Sequence, residues 1–547
     1  MSLAVPRTAE IEETARERFG LEQLRPEQIE AIDAASQGRD VLAVWATGFG
    51  KSAVYQVTGA LLPGITVVIS PLIALQEDQL IGLDDAPAAP HAVALNSARG
   101  ARARREAWRQ LEEGEAEYVL LAPEQLAKED VIGALAKHEI SLLVIDEAHC
   151  ITSWGHDFRP DYLLIGSLAE RLGRPPVVAL TATASTPVRE EIMQRLGMRD
   201  PLVLVGDMDR VNIALDVRRH VDDAGKRQAV VEEVVGLTSP GLVYTSTRRD
   251  TERYAEELAE RGLRAAAYHA GLRVGERNRV HEEFRDGDLD VVVATSAFGM
   301  GIDKEDVRFV VHADAPESID AYYQELGRAG RDGGAARATL HYRPEDLGIR
   351  RFFASRGTDA DDIRSVLGAL RDGHHARQAV ADAAGMPLRR TVALLALLSD
   401  TGSVRLNRRG ASIRAHVDDA EAVAAASAHV EDRQRVEQSR IEMLRGYAET
   451  RRCRRQVLLG YFGQELADPC GNCDTCLEGH AAETQDAEAP GQESAYRVDD
   501  RVRHREWGEG TVMDVEDDRM TVFFESAGYR VLALELVEDE GLVEHVG

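Results

Sequence analysis

Short runs of Val, Ile and Leu recur through the first two-thirds of the chain, with amphipathic stretches between them. DVLAVW, ITVVIS, HAVAL, YVLLA, SLLVID, PVVAL and LVLVG fall between residues 38 and 205, and GLVYTS, RAAAYH, DVVVAT, VRFVVH and ATLHY between 211 and 342. Short apolar runs without polar alternation read as strands covered on both faces, and the amphipathic stretches as the helices that cover them. The pattern dictates an α/β class. Its repetition predicts two parallel-sheet lobes in tandem, residues 1–207 and 208–345.

The remaining third follows other rules. Residues 346–420 carry helical periodicity, a turn at Gly385-Met386-Pro387 and a hairpin signal at NRRG, an arrangement that resembles a winged helix-turn-helix. Residues 421–478 are helical in pattern and end in a cysteine cluster, while 479–495 lack apolar periodicity and predict a flexible linker. Residues 496–547 alternate at period two between turn residues, which predicts a small β-barrel.

Composition narrows the function classes. With 44% hydrophobic and 29% charged side chains, the 547 residues can bury several cores, which excludes global disorder. No apolar run reaches the roughly 18 residues of a membrane span, and acids stand where a signal peptide would be apolar. The expectation is a cytoplasmic protein with no membrane partner. A net charge of -29 disfavours loose adhesion to nucleic acid, so any phosphate contact must be local and patterned. Much of that charge belongs to the tail, where acids outnumber bases about three to one beyond Leu477.

VLAVW runs into ATGFGKS, residues 46–52, which offers Thr47, Gly48, Gly50, Lys51 and Ser52. Glycines let backbone N–H groups approach phosphates, Lys supplies charge to the β/γ-phosphates, and a Ser hydroxyl suits Mg²⁺. The strict phosphate-loop pattern places glycine where this chain has Trp45. Downstream, SLLVIDEAH is an apolar strand ending in Asp146 and Glu147. One such acid can hold Mg²⁺ and its neighbour can orient or deprotonate an attacking water. ATP and Mg²⁺ are therefore the expected ligands. If ATP lies between the lobes, Arg328 and Arg331 of GRAGR make sense as arginine fingers reaching it from the second.

Four of the five cysteines, Cys453, Cys470, Cys473 and Cys476, follow C-x16-C-x2-C-x2-C. Four thiolates suit tetrahedral Zn²⁺, with iron–sulfur ligation as the rival. Cys150 stands apart and reads as an inert buried thiol. WGHDFRPDY sets Trp154, Phe158 and Tyr162 beside His156 and Arg159, a mixture suited to stacking on bases and touching phosphates, or else to a local core. Arg389, Arg390, Arg405, Arg408 and Arg409 can meet duplex phosphates or form a solvated face.

Taken in order, these strings resemble the motifs of RecQ-type superfamily 2 DNA helicases. FGLEQLRPEQ is similar to their adenine-reading motif, SPLIALQEDQ, APEQL, DEAHCITSWGHDFRPDY and LTATA to those of the first lobe, and YHAGL, ATSAFGMGIDK and YYQELGRAGRDG to those of the second. PCGNCDTC resembles the family's structural zinc module. The resemblance implies RecA-like lobes and 3′ to 5′ ATP-dependent movement on single-stranded and partially duplex DNA, in repair or recombination at the nucleoid. It further implies adenine recognition by Arg25 and Gln28, a nucleotide contact from Asp303, catalytic roles for Gln324, Arg328 and Arg331, and DNA sensing by the aromatic loop.

Three departures stand out. Leu21 replaces an aromatic that often stacks on adenine. The winged-helix segment precedes the zinc module, and no helical HRDC domain follows it. The tail resembles the Tudor-like module of UvrD/PcrA helicases, which associates with RNA polymerase in that family. RNA polymerase or a repair protein is thus the expected partner of residues 496–547, the alternative being a barrel that only packs on the motor. A translocase tethered through this tail, with little unwinding of its own, is the second functional expectation.

Overall fold

The computed structural model describes residues 7–46, 48–71, 73–96, 99–152, 165–298, 304–348, 359–407, 410–414, 416–481, 495–515 and 519–546. In the first lobe, β1 (Val41–Val44), β2 (Ile65–Ile69), β3 (Ala92–Leu95), β4 (Tyr118–Leu121), β5 (Ile140–Ile145), β6 (Val177–Thr181) and β7 (Leu202–Val205) form one sheet in the order β3-β4-β2-β5-β6-β1-β7. Every pairing in it is parallel. β1, β2, β4 and β6 are buried along their whole length, which is why they read as unbroken apolar runs. β6 lies between β1 and β5, so the segments leaving all three, ATGFGKS, LTATA and DEAH, emerge side by side at the carboxyl ends of the strands. Open parallel sheets bind their ligands there.

The second lobe repeats the plan with β8 (Ile213–Arg219), β9 (Gly241–Tyr244), β10 (Ala265–Tyr268), β11 (Val291–Ala294), β12 (Phe309–His312) and β13 (Ala336–Tyr342), ordered β10-β11-β9-β12-β13-β8 and parallel throughout. The helix Ile319–Leu326 carries the chain from β12 toward GRAGR.

Helices Ala360–Arg371, Arg377–Ala384 and Leu388–Asp400 pack with the hairpin β14 (Val404–Asn407) and β15 (Gly410–Ile413) around Ile363, Leu367, Leu395, Leu398 and Val404. Gly410 has φ 133°, and a Cβ there would stand 1.6 Å from the His375 carbonyl oxygen. Only glycine lets the hairpin return against that backbone, where Ala411 N–H donates to His375 O at 2.8 Å. The helix Asp419–Glu449 then runs for 31 residues, capped by the Asp418 carboxylate, from this small core to the zinc module.

The tail forms an antiparallel sheet of β16 (Arg501–His504), β17 (Gly508–Val515), β18 (Arg519–Phe524), β19 (Gly528–Ala533) and β20 (Val543–His545), in the order β19-β18-β17-β16-β20, over a core of Val502, Val512, Met520, Val522 and Phe524. Its other face is not free. Met513, Phe523 and Tyr529 join the core shared by the second lobe and the zinc helices. Most of the expected linker, 482–494, lies outside the described residues. Among those described, no helix is long and apolar enough to cross a membrane.

Candidate nucleotide cleft and zinc centre

Gly48 and Gly50 adopt φ 86° and 81°, left-handed values that suit glycine and leave the loop open to a phosphate. Gly50 starts the helix Lys51–Leu61, whose first turn carries Ser52. Lys51 Nζ donates to Trp45 O at 3.0 Å. Gln28 ties the N-terminal motif to this loop, its Nε2 donating to Gly50 O at 2.9 Å and Phe49 O at 3.2 Å while its Oε1 accepts from Arg25 N at 2.8 Å. The Arg25 guanidinium lies 4.3 Å from the centre of the Phe49 ring. The Phe49 ring also lies 5.0 Å from that of Trp45, centre to centre. Thr47 lies outside the described residues.

Asp146 is buried at the tip of β5, where Gln79 Nε2 donates to Oδ2 at 2.9 Å and Glu147 N–H to Oδ1 at 3.0 Å. Burial, reinforced by the Glu147 charge, pushes its carboxyl up to about 7, against the opposing pull of Lys51 and the Gln79 hydrogen bond. A carboxylate that costs this much to ionise is a receptive partner for a cation. Burial likewise lowers the Lys51 ammonium, with Glu147 and Asp146 opposing and Arg331 adding to the shift. Glu147 has φ 49°, a strained value for a residue with a Cβ, of the kind that collects at functional sites. His149 Nδ1 stands 2.9 Å from Thr181 Oγ1, which in turn bonds the Thr183 backbone, so DEAH and LTATA are joined.

The second lobe closes the cleft with one arginine. A Cβ on Gly48 would meet Arg331 Cγ at 3.5 Å, so Arg331 lies against the phosphate loop. Arg328 turns inward instead. It is buried beside Tyr244, whose hydroxyl donates to Phe298 O at 2.8 Å. Gln324 is half-buried on the helix Ile319–Leu326, and Asp303 lies outside the described residues.

The sulfurs of Cys453, Cys470, Cys473 and Cys476 all lie within 4.8 Å of one another. Cys470 N–H donates to Cys453 Sγ at 3.3 Å and Asn472 N–H to Cys470 Sγ at 3.4 Å, the backbone support that thiolate ligands receive. Four converging sulfurs fit a closed tetrahedral zinc site. The knuckle docks on the edge of the second lobe: Leu215 N–H donates to Asn472 O at 3.2 Å, and Asp474 accepts from Val217 N–H and Arg454.

Family models match three stretches, the DEAD/DEAH box helicase at residues 25–192, the helicase conserved C-terminal domain at 225–333 and the RecQ zinc-binding domain at 414–477. The ATP-dependent DNA helicase RecQ of Haemophilus influenzae is 34% identical over 84% of this chain and 62% of its own length. The probable ATP-dependent DNA helicase RecS of Bacillus subtilis is 38% identical over 66% of this chain and 72% of its own length. The chain belongs to the RecQ-type helicase family. It spans 62% of the length of the Haemophilus relative. Among solved structures, Mycobacterium smegmatis helicase Lhr bound to ssDNA and AMP-PNP superposes with a TM-score of 0.52 at 22% identity, over 92% of this chain and 68% of that one, a likeness of fold.

Of the residues expected to touch DNA in a RecQ-type chain, Trp154, His156, Phe158, Arg159, Arg408 and Arg409 lie outside the described residues, as does the Arg389 side chain. Arg390 is paired with Asp362 on the neighbouring helix. Sequence reasoning passed over Gln79, Phe49 and Tyr244. Gln79 stands in SPLIALQEDQ, and its burial with Gln76 on the helix Ile73–Asp84, which the string alone does not show, is what marks it as a partner of a buried polar group.

Proposed function

We propose that the chain is an ATP-driven motor that moves 3′ to 5′ along single-stranded DNA and unwinds the duplex ahead of it, serving repair or recombination at the nucleoid. Arg331 of the second lobe lying on the phosphate loop of the first is the observation that carries this reading, because it makes hydrolysis depend on how the lobes meet. Gly48, Gly50 and Lys51 cradle phosphates, and Arg25 and Gln28 border the base. Glu147 orients or deprotonates the attacking water, and Arg331, with Gln324 of the same motif, answers the charge that develops on the transferring phosphoryl group. Mg²⁺ held by Ser52 and Asp146 would supply further charge neutralisation, and Zn²⁺ on the four cysteines a structural clamp. Closing and opening of the cleft then becomes stepping if each lobe grips the strand.

The hairpin β14–β15, with Arg408 and Arg409 between its strands in sequence, serves in this reading as the wedge that parts the strands. Deleting residues 403–412 should cost unwinding and spare translocation; equal loss of both refutes the wedge. The motor reading itself is tested by ATP hydrolysis with and without single-stranded DNA or RNA, alongside Lys51→Ala. DNA-specific stimulation that vanishes in the variant supports it, and equal stimulation by RNA refutes the DNA assignment. A translocase tethered by residues 496–547 to RNA polymerase or a repair protein would instead show strong DNA stimulation, no strand displacement alone, and retention of that partner by the full chain.

A further inference from the structure

The C-terminal β module sits where the two lobes meet. On the side of the first lobe, Ser185 directly follows LTATA and begins the helix Thr186–Leu196. The Tyr529 hydroxyl stands 3.4 Å from Ser185 Oγ, and both groups are buried. Beside them, Arg501 donates to Glu190 at 2.7 Å and Thr186 Oγ1 to Asp499 Oδ1 at 2.5 Å. The Asp499 and Glu190 charges both act on Arg189, so helix and module each present one cation and one anion at this contact.

On the side of the second lobe the contact is of another kind. Tyr529 stacks near Tyr461, with ring centres 5.3 Å apart, and the Tyr461 hydroxyl donates to Asp320 Oδ2 at 2.5 Å. Asp320 lies in the first turn of the helix that leads to Arg328 and Arg331. Gly528 presses so closely on the long helix that a Cβ would stand 2.2 Å from Ser439 Oγ, which accepts from Tyr529 N–H at 2.9 Å. Met513, Phe523 and Tyr529 share one buried core with that lobe and the zinc helices. An apolar core moves as a unit, whereas half-exposed polar pairs break and re-form at little cost.

We propose that this module is a working part of the motor: it rides on the second lobe, and its Tyr529 and Arg501 are positioning residues that set the LTATA segment and its helix in the first lobe. DNA engagement is thereby relayed to the hydrolytic cleft through a domain outside the two lobes. The inference rests on the motor reading above.

The test uses the full chain as Arg501→Glu, Glu190→Arg, the double variant and Tyr529→Phe. It reads basal and DNA-stimulated kcat, KM for ATP, zinc content and Tm. Each single substitution should lower the DNA-stimulated kcat about threefold, while basal kcat, zinc and Tm stay at the level of the unmodified chain. The double variant should recover most of the loss, which a lost DNA phosphate contact at Arg501 would not produce, and the unchanged basal kcat and Tm of the single variants exclude a merely structural contact. Full stimulation in both charge variants overturns the inference, as does a double variant no better than either single one. Absence of DNA stimulation in the unmodified chain refutes the motor reading, and the inference with it.

Discussion

Arg331 of the second lobe lies against Gly48 of the first, its Cγ 3.5 Å from where a Cβ on that glycine would stand. Arg328, three residues earlier, turns to Tyr244. Two arginines of one motif are thus placed differently, and Arg331→Ala should lower kcat by about 10³-fold with KM for ATP little changed. Arg328→Ala should cost less in kcat, and lower Tm by removing a large buried side chain. Steady-state ATP hydrolysis and thermal melts of the two variants check the assignment; equal kcat losses contradict it.

Asp146 titrates near 7 in the folded chain against an ordinary 3.8. Between those values the native state holds a proton that the unfolded state releases, so this group's contribution to stability falls as pH rises from about 4 to 7. Asp146→Asn removes the buried charge. It should stabilise the chain by about 1–3 kcal/mol at pH 8, do little at pH 4, and abolish ATP hydrolysis throughout. In the unmodified chain at limiting Mg²⁺, hydrolysis should fall on the acid side with a midpoint near 7, and excess Mg²⁺ should move that midpoint lower. Melts and pH–rate profiles measure both.

Gln79 donates to Oδ2 of the same carboxylate at 2.9 Å. Gln79→Leu keeps the volume and removes the hydrogen bond, so the Mg²⁺ concentration for half-maximal hydrolysis should rise about tenfold. A Mg²⁺ titration showing no change would make Gln79 a packing residue only.

The parts legible in the sequence are those written locally. β1 and most of β5 are apolar runs because both faces are covered, Asp146 follows β5 directly, and Lys51 opens the helix after β1. The contact of Gln79 with Asp146 spans 67 residues, and that of Ser185 with Tyr529 spans 344. Period-two alternation in the tail shows that one face is buried but not against what, so the module's seat on both lobes had no local signal. The Arg25–Phe49 stack was hidden for a similar reason, since sequence order drew attention to Leu21 instead.

The zinc knuckle also braces the second lobe, because Cys473 pairs with Leu215 of β8 and Asp474 accepts from Val217 N–H of the same strand. Cys473→Ser, or a strong chelator, should remove one equivalent of zinc and lower Tm while leaving the first lobe's nucleotide binding intact. Elemental analysis with thermal melts reads this. Iron and visible absorption in the purified protein would contradict the zinc assignment.

Strand displacement tests the account most directly. With ATP and Mg²⁺, the purified chain is given matched duplexes bearing a 3′ DNA tail, a 5′ DNA tail or a 3′ RNA tail, with Lys51→Ala as control. The account predicts unwinding from the 3′ DNA tail alone, and none by the variant. Displacement from the 5′ tail, from the RNA tail, or by Lys51→Ala would contradict it.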